Sequence, residues 1–123
     1  MSIHSAYPPI EVFKEIGPDS YILYLSGELD SSNTLVVDEA LRKALHAHKP
    51  NVVVDFEHLQ YISSTGLGIF LSHYNSFTDK NINFMLVNMS PKIRSVFRLL
   101  GLETVIPILD MPLLLGRKNK KVS

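Results

Sequence analysis

Between Val52 and Phe77 the spacing of apolar residues changes period within a few positions, and few folds accommodate that change. The run VVVDF at 52–56 is short and nearly continuously apolar, the composition of a central strand covered on both faces. Leu67, Phe70, Leu71, Tyr74 and Phe77 then recur at i, i+3, i+4, i+7 and i+10. That is the spacing of one helical face, and it does not fit the two-residue alternation of a strand. The joint between the two carries three successive hydroxyls, Ser63, Ser64 and Thr65, followed by Gly66 and Gly68. Any of the three can accept a hydrogen bond from the unpaired N–H groups of the first turn, as ordinary helix caps do. A hydroxyl at the positive end of a helix is also where a negative group such as a phosphate is stabilised.

The rest of the chain repeats this alternation. Residues 10–16, IEVFKEI, alternate apolar and polar as a half-buried strand, GPDS at 17–20 is turn chemistry, and Tyr21–Leu25 is the second arm of a hairpin. Gly27 is expected to break that arm and leave GELD as a loop. Ser31, Ser32 and Asn33 offer caps for a helix running to about His48, with Val37, Leu41, Ala44 and Leu45 as its buried stripe and Pro50 closing it. Asp55 is expected to end its strand by bonding to nearby backbone. Ile82–Val87 reads as another strand. Ser90 with Pro91 then starts a third helix, which is expected to bury Ile93, Val96, Phe97 and Leu100. Gly101 is placed as the left-handed residue that ends this helix, with Leu102 folding back on it. Thr104–Leu109 is expected to be a last strand, held to an edge by Pro107. Helices between strands at these spacings imply parallel crossovers, and the opening hairpin implies one antiparallel member.

At 123 residues this is one domain, and no apolar run approaches the length of about 18 residues needed to cross a membrane. With no basic-then-apolar leader in MSIHSAYPPIEVF, a cytoplasmic location and no membrane contact are the expectation. Zero cysteines exclude a disulfide framework and thiolate chemistry. Charge is unevenly placed: residues 1–110 hold 8 basic and 12 acidic residues, whereas 111–123 hold Arg117, Lys118, Lys120 and Lys121 with no acid. The acidic body argues against nucleic-acid binding, and the terminal RKNKK reads as a solvated end.

Enzyme signatures are absent. The serines precede the glycines, so there is no GxSxG elbow, no GxxxxGK[ST] loop occurs, and TGLG is too short for GxGxxG. His46 and His48 point about 200° apart on a helix, and His4, His58 and His73 are isolated in sequence, so solvent-facing histidines and no metal site are expected. Asp30, before a helix, is a candidate cap.

The segment VVVDFEHLQYISSTGLGIFL resembles the signature of STAS domains, specifically the bacterial anti-sigma factor antagonists, in which a strand ending in Asp plus an apolar residue leads to a Ser-[Ser/Thr]-Gly-Leu-Gly helix start. SGELD at Ser26–Asp30 and SPKIRSVFRLLGL at Ser90–Leu102 match in order, and together the pieces span about residues 10–108. The resemblance implies an α/β fold, a STAS-type mixed β-sheet of four to five strands with three to four helices packed against it. It divides the chain into a flexible arm at 1–9, a STAS domain at 10–110 and a basic tail at 111–123. STAS proteins usually finish with a further amphipathic helix, whereas MPLLLGRKNKKVS offers at most a stub.

It further implies a non-enzymatic partner-switching protein without a cofactor of its own. Unphosphorylated, it would bind an anti-sigma factor that is also a GHKL-type serine kinase, freeing the sigma factor. Phosphorylation would release it, and a PP2C-type phosphatase would restore it. Carried over position by position, the acceptor is Ser64, with Ser63 and Thr65 as alternatives, and the partner surface is Glu28, Asp30, Ser63, Ser64, Thr65, Gly66 and Leu67. In many such antagonists Asp precedes the acceptor. Here Ser63 removes that charge and adds a competing hydroxyl. The second reading is a STAS module that is never phosphorylated and serves as a docking subunit in a signalling or lipid-transport complex.

Overall fold

A computed structural model describes residues 7–110 of the chain. The element order is β1 (Glu11–Ile16), β2 (Ser20–Leu29), α1 (Thr34–Leu45), β3 (Asn51–Ile62), α2 (Ser64–Asp79), β4 (Asn83–Val87), α3 (Pro91–Leu99), a 3-10 turn at Leu102–Thr104, and β5 (Ile108–Leu109). The five strands form one sheet in the order β1-β2-β3-β4-β5. β1 and β2 are an antiparallel hairpin, and every later neighbour is parallel. The expected tail at 111–123, and residues 1–6 of the expected arm, lie outside the described residues.

One face of the sheet carries the core. Tyr21 and Leu23 of β2 pair across to Val52 and Val54 of β3, which pair in turn to Phe84 and Leu86 of β4, and all are buried, as is Leu25. Val37, Leu41 and Ala44 of α1, Leu67, Phe70 and Phe77 of α2, and Ile93 and Phe97 of α3 join the same cluster. All three helices therefore cover a single face. Phe56, fully buried, is the hub: its ring lies 5.2 Å from that of Phe70 and 5.8 Å from that of Phe97, within the range in which tilted and edge-on aromatic pairs attract. Phe77 stacks on Phe84 at 4.6 Å and fixes the far end of α2 on β4.

Several local expectations give way to longer-range pairing. Gly27 does not break β2. It takes φ +94 and lets the strand run on to Leu29, while Pro8 O accepts the Glu28 N–H at 2.9 Å, so GEL is strand and not loop. Asp55 does not end β3 either. Its carboxylate accepts the Glu57 N–H at 2.8 Å, and a register shift between Tyr24 and Ser26 absorbs the irregularity, so β3 extends to Ile62. α1 stops at Leu45 with His46 as its C-cap, short of the expected His48, which adopts φ +58.

Leu100 is 57% exposed rather than buried, since α3 ends at Leu99 and left-handed Gly101 turns Leu102 into the core in its place. The last strand is cut to Ile108–Leu109, because the residues before it close into a 3-10 turn braced by Thr104 Oγ1 donating to Gly101 O and by Glu103 beside Arg98. His73 is buried, contrary to the solvent-facing expectation. It faces α1, where Nε2 lies 2.7 Å from Asp38 Oδ1, and Asp38 also pairs with Arg42. The His73 hydrogen bond is the main reason the Asp38 carboxyl sits below its usual range.

A Cβ on Gly27 would lie 2.6 Å from both the Pro8 and Pro9 carbonyl oxygens, at a backbone angle that L-residues rarely adopt. Gly27→Ala is expected to destabilise the fold by about 2 kcal/mol or more, read by urea denaturation. Asp55 is 4% exposed, and burial pushes its carboxyl above the ordinary range against the opposing bonds from Glu57 N–H and Asn88 Nδ2. A carboxyl raised in the folded state binds more protons there than in the unfolded chain, so its contribution is greatest below the ordinary Asp pKa and declines as pH rises through the folded value. Asp55→Asn keeps an acceptor for Glu57 and a partner for Asn88. It is expected to be more stable than wild type near neutral pH and to lose that advantage toward about pH 4; melting curves of both proteins across the range check this.

Candidate functional site

The carboxyl ends of β2 and β3 bring the two motif loops together. Glu28 pairs with Tyr61 and Leu29 with Ile62, so Asp30 and Ser63 leave the sheet side by side. The Ser63 N–H donates to Leu29 O at 2.9 Å and locks the two exits. Gly66 is required just above. A Cβ there would sit 3.0 Å from the fully buried Leu29 side chain and 3.1 Å from Ile62, so glycine lets the first turn of α2 rest on the strand ends.

The three hydroxyls have separate fates. Ser63, in extended conformation, is the N-cap: its Oγ accepts the Gly66 N–H at 3.1 Å. Ser64 and Thr65 occupy the first two helical positions and are exposed. No acidic residue occupies this first turn, so the positive end of α2 is left uncompensated by its own side chains. Gly68 is exposed, with no atom within 4 Å of where a Cβ would stand, so the chain beside Ser64 is open to close approach.

Asp30 is held by its own loop. Its Oδ1 accepts from Ser32 Oγ at 2.7 Å and from Ser32 N–H at 2.9 Å, and these bonds, the hydroxyl first, hold the carboxyl below the ordinary range. Asn33 caps α1 by position but makes no side-chain cap bond. Its amide accepts the Asp30 N–H at 3.0 Å and donates to Glu28 O at 3.1 Å, bracing the turn from inside.

Of the residues expected to meet a partner, the geometry gathers Glu28, Asp30, Ser63, Ser64 and Thr65 at one end of the sheet. Gly66 and Leu67 are buried beneath it; Leu67 is 1% exposed and serves the core. Sequence reasoning passed over three exposed apolar side chains: Leu35 and Val36 in the first turn of α1, and Tyr61 two residues before Ser63. The signal for the first two is that neither falls on the Val37–Leu41–Ala44 stripe, so an ordinary amphipathic helix would carry polar residues there. Among the described residues no group of three or more His, Cys, Asp or Glu is arranged to hold a metal ion, and no helix is long and apolar enough to cross a membrane.

Comparison with known proteins gives this arrangement its context. An anti-sigma-B factor antagonist of Listeria monocytogenes is 29% identical over 97 residues, covering 77% of this chain and 83% of the relative. An anti-sigma F factor antagonist of Paenibacillus polymyxa is 30% identical over 93 residues, covering 72% and 77%. Among solved structures, an anti-sigma factor antagonist from Mycobacterium paratuberculosis superposes with a TM-score of 0.76 at 23% identity over 89% of this chain and 92% of that one. The unphosphorylated form of the antagonist SpoIIAA superposes with a TM-score of 0.72 at 21% identity, covering 89% and 94%. The model of the STAS domain matches residues 7–111, from the Tyr7 that precedes β1 to the residue after Asp110. With that match spanning nearly all of the described residues, the chain belongs to the STAS domain family.

Proposed function

We propose that this protein is an anti-sigma factor antagonist that works in the cytoplasm by partner switching, and that Ser64 is its switch. The observation that carries the reading is the division of labour among the hydroxyls: Ser63 is committed to capping α2, whereas Ser64 stands exposed at the mouth of the helix, on the same sheet edge as the ionised Asp30. The names of the relatives support the antagonist role, and SpoIIAA, which shares the fold, has been solved in a phosphorylated form.

Unphosphorylated, the face formed by Asp30, Ser64, Thr65 and the exposed Leu35, Val36 and Tyr61 docks an anti-sigma factor that is also a GHKL-type serine kinase. The partner supplies the nucleotide and its metal. The antagonist itself contributes the acceptor hydroxyl and carries out no turnover. Transfer of a phosphoryl group adds about −1.5 to −2 charge in the middle of an apolar contact that already holds carboxylates. Release follows from desolvation and like-charge repulsion, while the free N–H groups and dipole of α2 accommodate the phosphate within the carrier. A PP2C-type phosphatase resets the cycle.

Phosphorylation assays of wild type and single alanine variants with the cognate kinase and ATP, followed by peptide mass spectrometry, test this. Ser64→Ala is expected to keep wild-type stability, to bind the kinase and to resist both modification and ATP-driven release. Ser63→Ala is expected to lose about 1 kcal/mol of stability with its cap yet remain modified. Phosphate on the Ser64→Ala protein at the wild-type rate would overturn the assignment. If wild type is never modified while still binding its partner, the alternative of a non-phosphorylated docking subunit becomes the better account.

A further inference from the structure

Asn33 stands where the cap of α1 belongs, yet its side chain does not cap the helix. An asparagine at this position ordinarily turns its amide onto the free N–H groups of the first turn, which stabilises the helix. Here the amide faces the other way. Its Oδ1 accepts the Asp30 N–H at 3.0 Å and its Nδ2 donates to Glu28 O at 3.1 Å. A residue that gives up a local gain marks a place where another requirement has won.

What the amide secures is Asp30. The turn from Asp30 to Asn33 contains neither glycine nor proline, so side chains have to hold its shape. The Asn33 N–H returns to Asp30 O at 3.3 Å, which joins the two residues by a reciprocal pair of bonds. Ser32 engages the carboxylate through both its hydroxyl and its N–H. The N–H, the carbonyl and the carboxylate of Asp30 are thus all held within its own loop. The anchor of that loop matters as much. Glu28 lies in β2 and pairs with Tyr61, and the carbonyl of the next residue, Leu29, accepts the Ser63 N–H. Through Nδ2, Asn33 fastens the Asp30 turn to the same strand end that fixes the start of α2. Its amide carries the rigidity of the sheet out to Asp30.

We propose that Asn33 is a positioning residue, which sets the Asp30 carboxylate relative to Ser64 before a partner arrives, so that docking loses little ordering entropy in this turn. The inference rests on the reading of Asp30 as part of the docking face, and it assigns Asn33 no contact with the partner.

Asn33→Ser separates this role from capping, and Asn33→Thr serves as a second variant of the same kind. Both residues cap helices well but are too short to span the Asp30 N–H and Glu28 O together, so α1 keeps its stability while the brace is lost. In the free chain, hydrogen exchange at the Asp30 amide is expected to rise about tenfold, with Val37 and Leu41 of α1 as protected as in wild type. Affinity for the purified cognate anti-sigma factor kinase, measured by calorimetry at fixed salt, is expected to fall about fivefold to tenfold. The rate of Ser64 phosphorylation at saturating antagonist stays at the wild-type value. Because Asn33 acts through Asp30, the same substitution in an Asp30→Ala background is expected to change affinity by less than about twofold. Unchanged Asp30 exchange in both variants, or a full loss of affinity repeated in the Asp30→Ala background, would overturn the positioning role. Wild-type affinity in Asn33→Ser while Asp30→Ala binds weakly overturns it too, and leaves the docking face standing. Wild-type affinity in Asp30→Ala, or no binding by wild type, overturns the docking face itself and this inference with it.

Discussion

The hydrogen bond from Ser63 N–H to Leu29 O, with Gly66 resting on the Leu29 side chain beneath it, fixes where two parallel strands release the chain. The placement of both motif loops depends on that junction. It makes the β2 exit carry Asp30 and the β3 exit carry Ser64 at adjacent positions, and it seats the first turn of α2 on the sheet with no room for a methyl group at Gly66. The bond itself contributes about 1 kcal/mol, as buried backbone bonds do. Its larger effect is geometric, because both loops inherit the rigidity of the strands from which they leave.

Rigidity below the junction comes from packing. Phe56, Phe70 and Phe97 draw one residue from β3 and one from each of two helices into a single aromatic contact, and the Phe77–Phe84 stack secures α2 some two turns further on. α1 is set against α2 differently, by the half-buried hydrogen bond between His73 and Asp38. Among the described residues the other ring nitrogen, Nδ1, is buried without a partner, so Asp38 is the contact that orients the imidazole. A polar pair has strong directional demands that an apolar contact lacks, and this one fixes how far along its axis each helix sits relative to the other.

Much of this was legible where the signal is local. The α2 stripe at Leu67, Phe70 and Phe77, the Ser90–Pro91 start of α3 and left-handed Gly101 are each written within one or two turns of chain, and the structure places them as read. What escaped was set by distant partners. EHLQY does not look like strand; it is strand because β2 continues beside it past Gly27, which in turn depends on Pro8. His73 looked like a surface residue because Asp38 lies 35 positions earlier. At the site, sequence offered three equivalent hydroxyls, and only the extended backbone at Ser63 distinguishes the capping one from the two that remain exposed.

Strand order in the sheet is identical to strand order in the chain. No strand has to be threaded between two that have already paired, so each new βα unit adds to a finished edge, and the loops to be closed stay short. As the chain emerges during synthesis, the hairpin, α1, β3 and α2 can assemble before β5 exists. The surface around Asp30 and Ser64 is built wholly from that earlier portion. The order of strands thus lets the proposed partner surface take shape first, with the last third of the chain closing the core behind it.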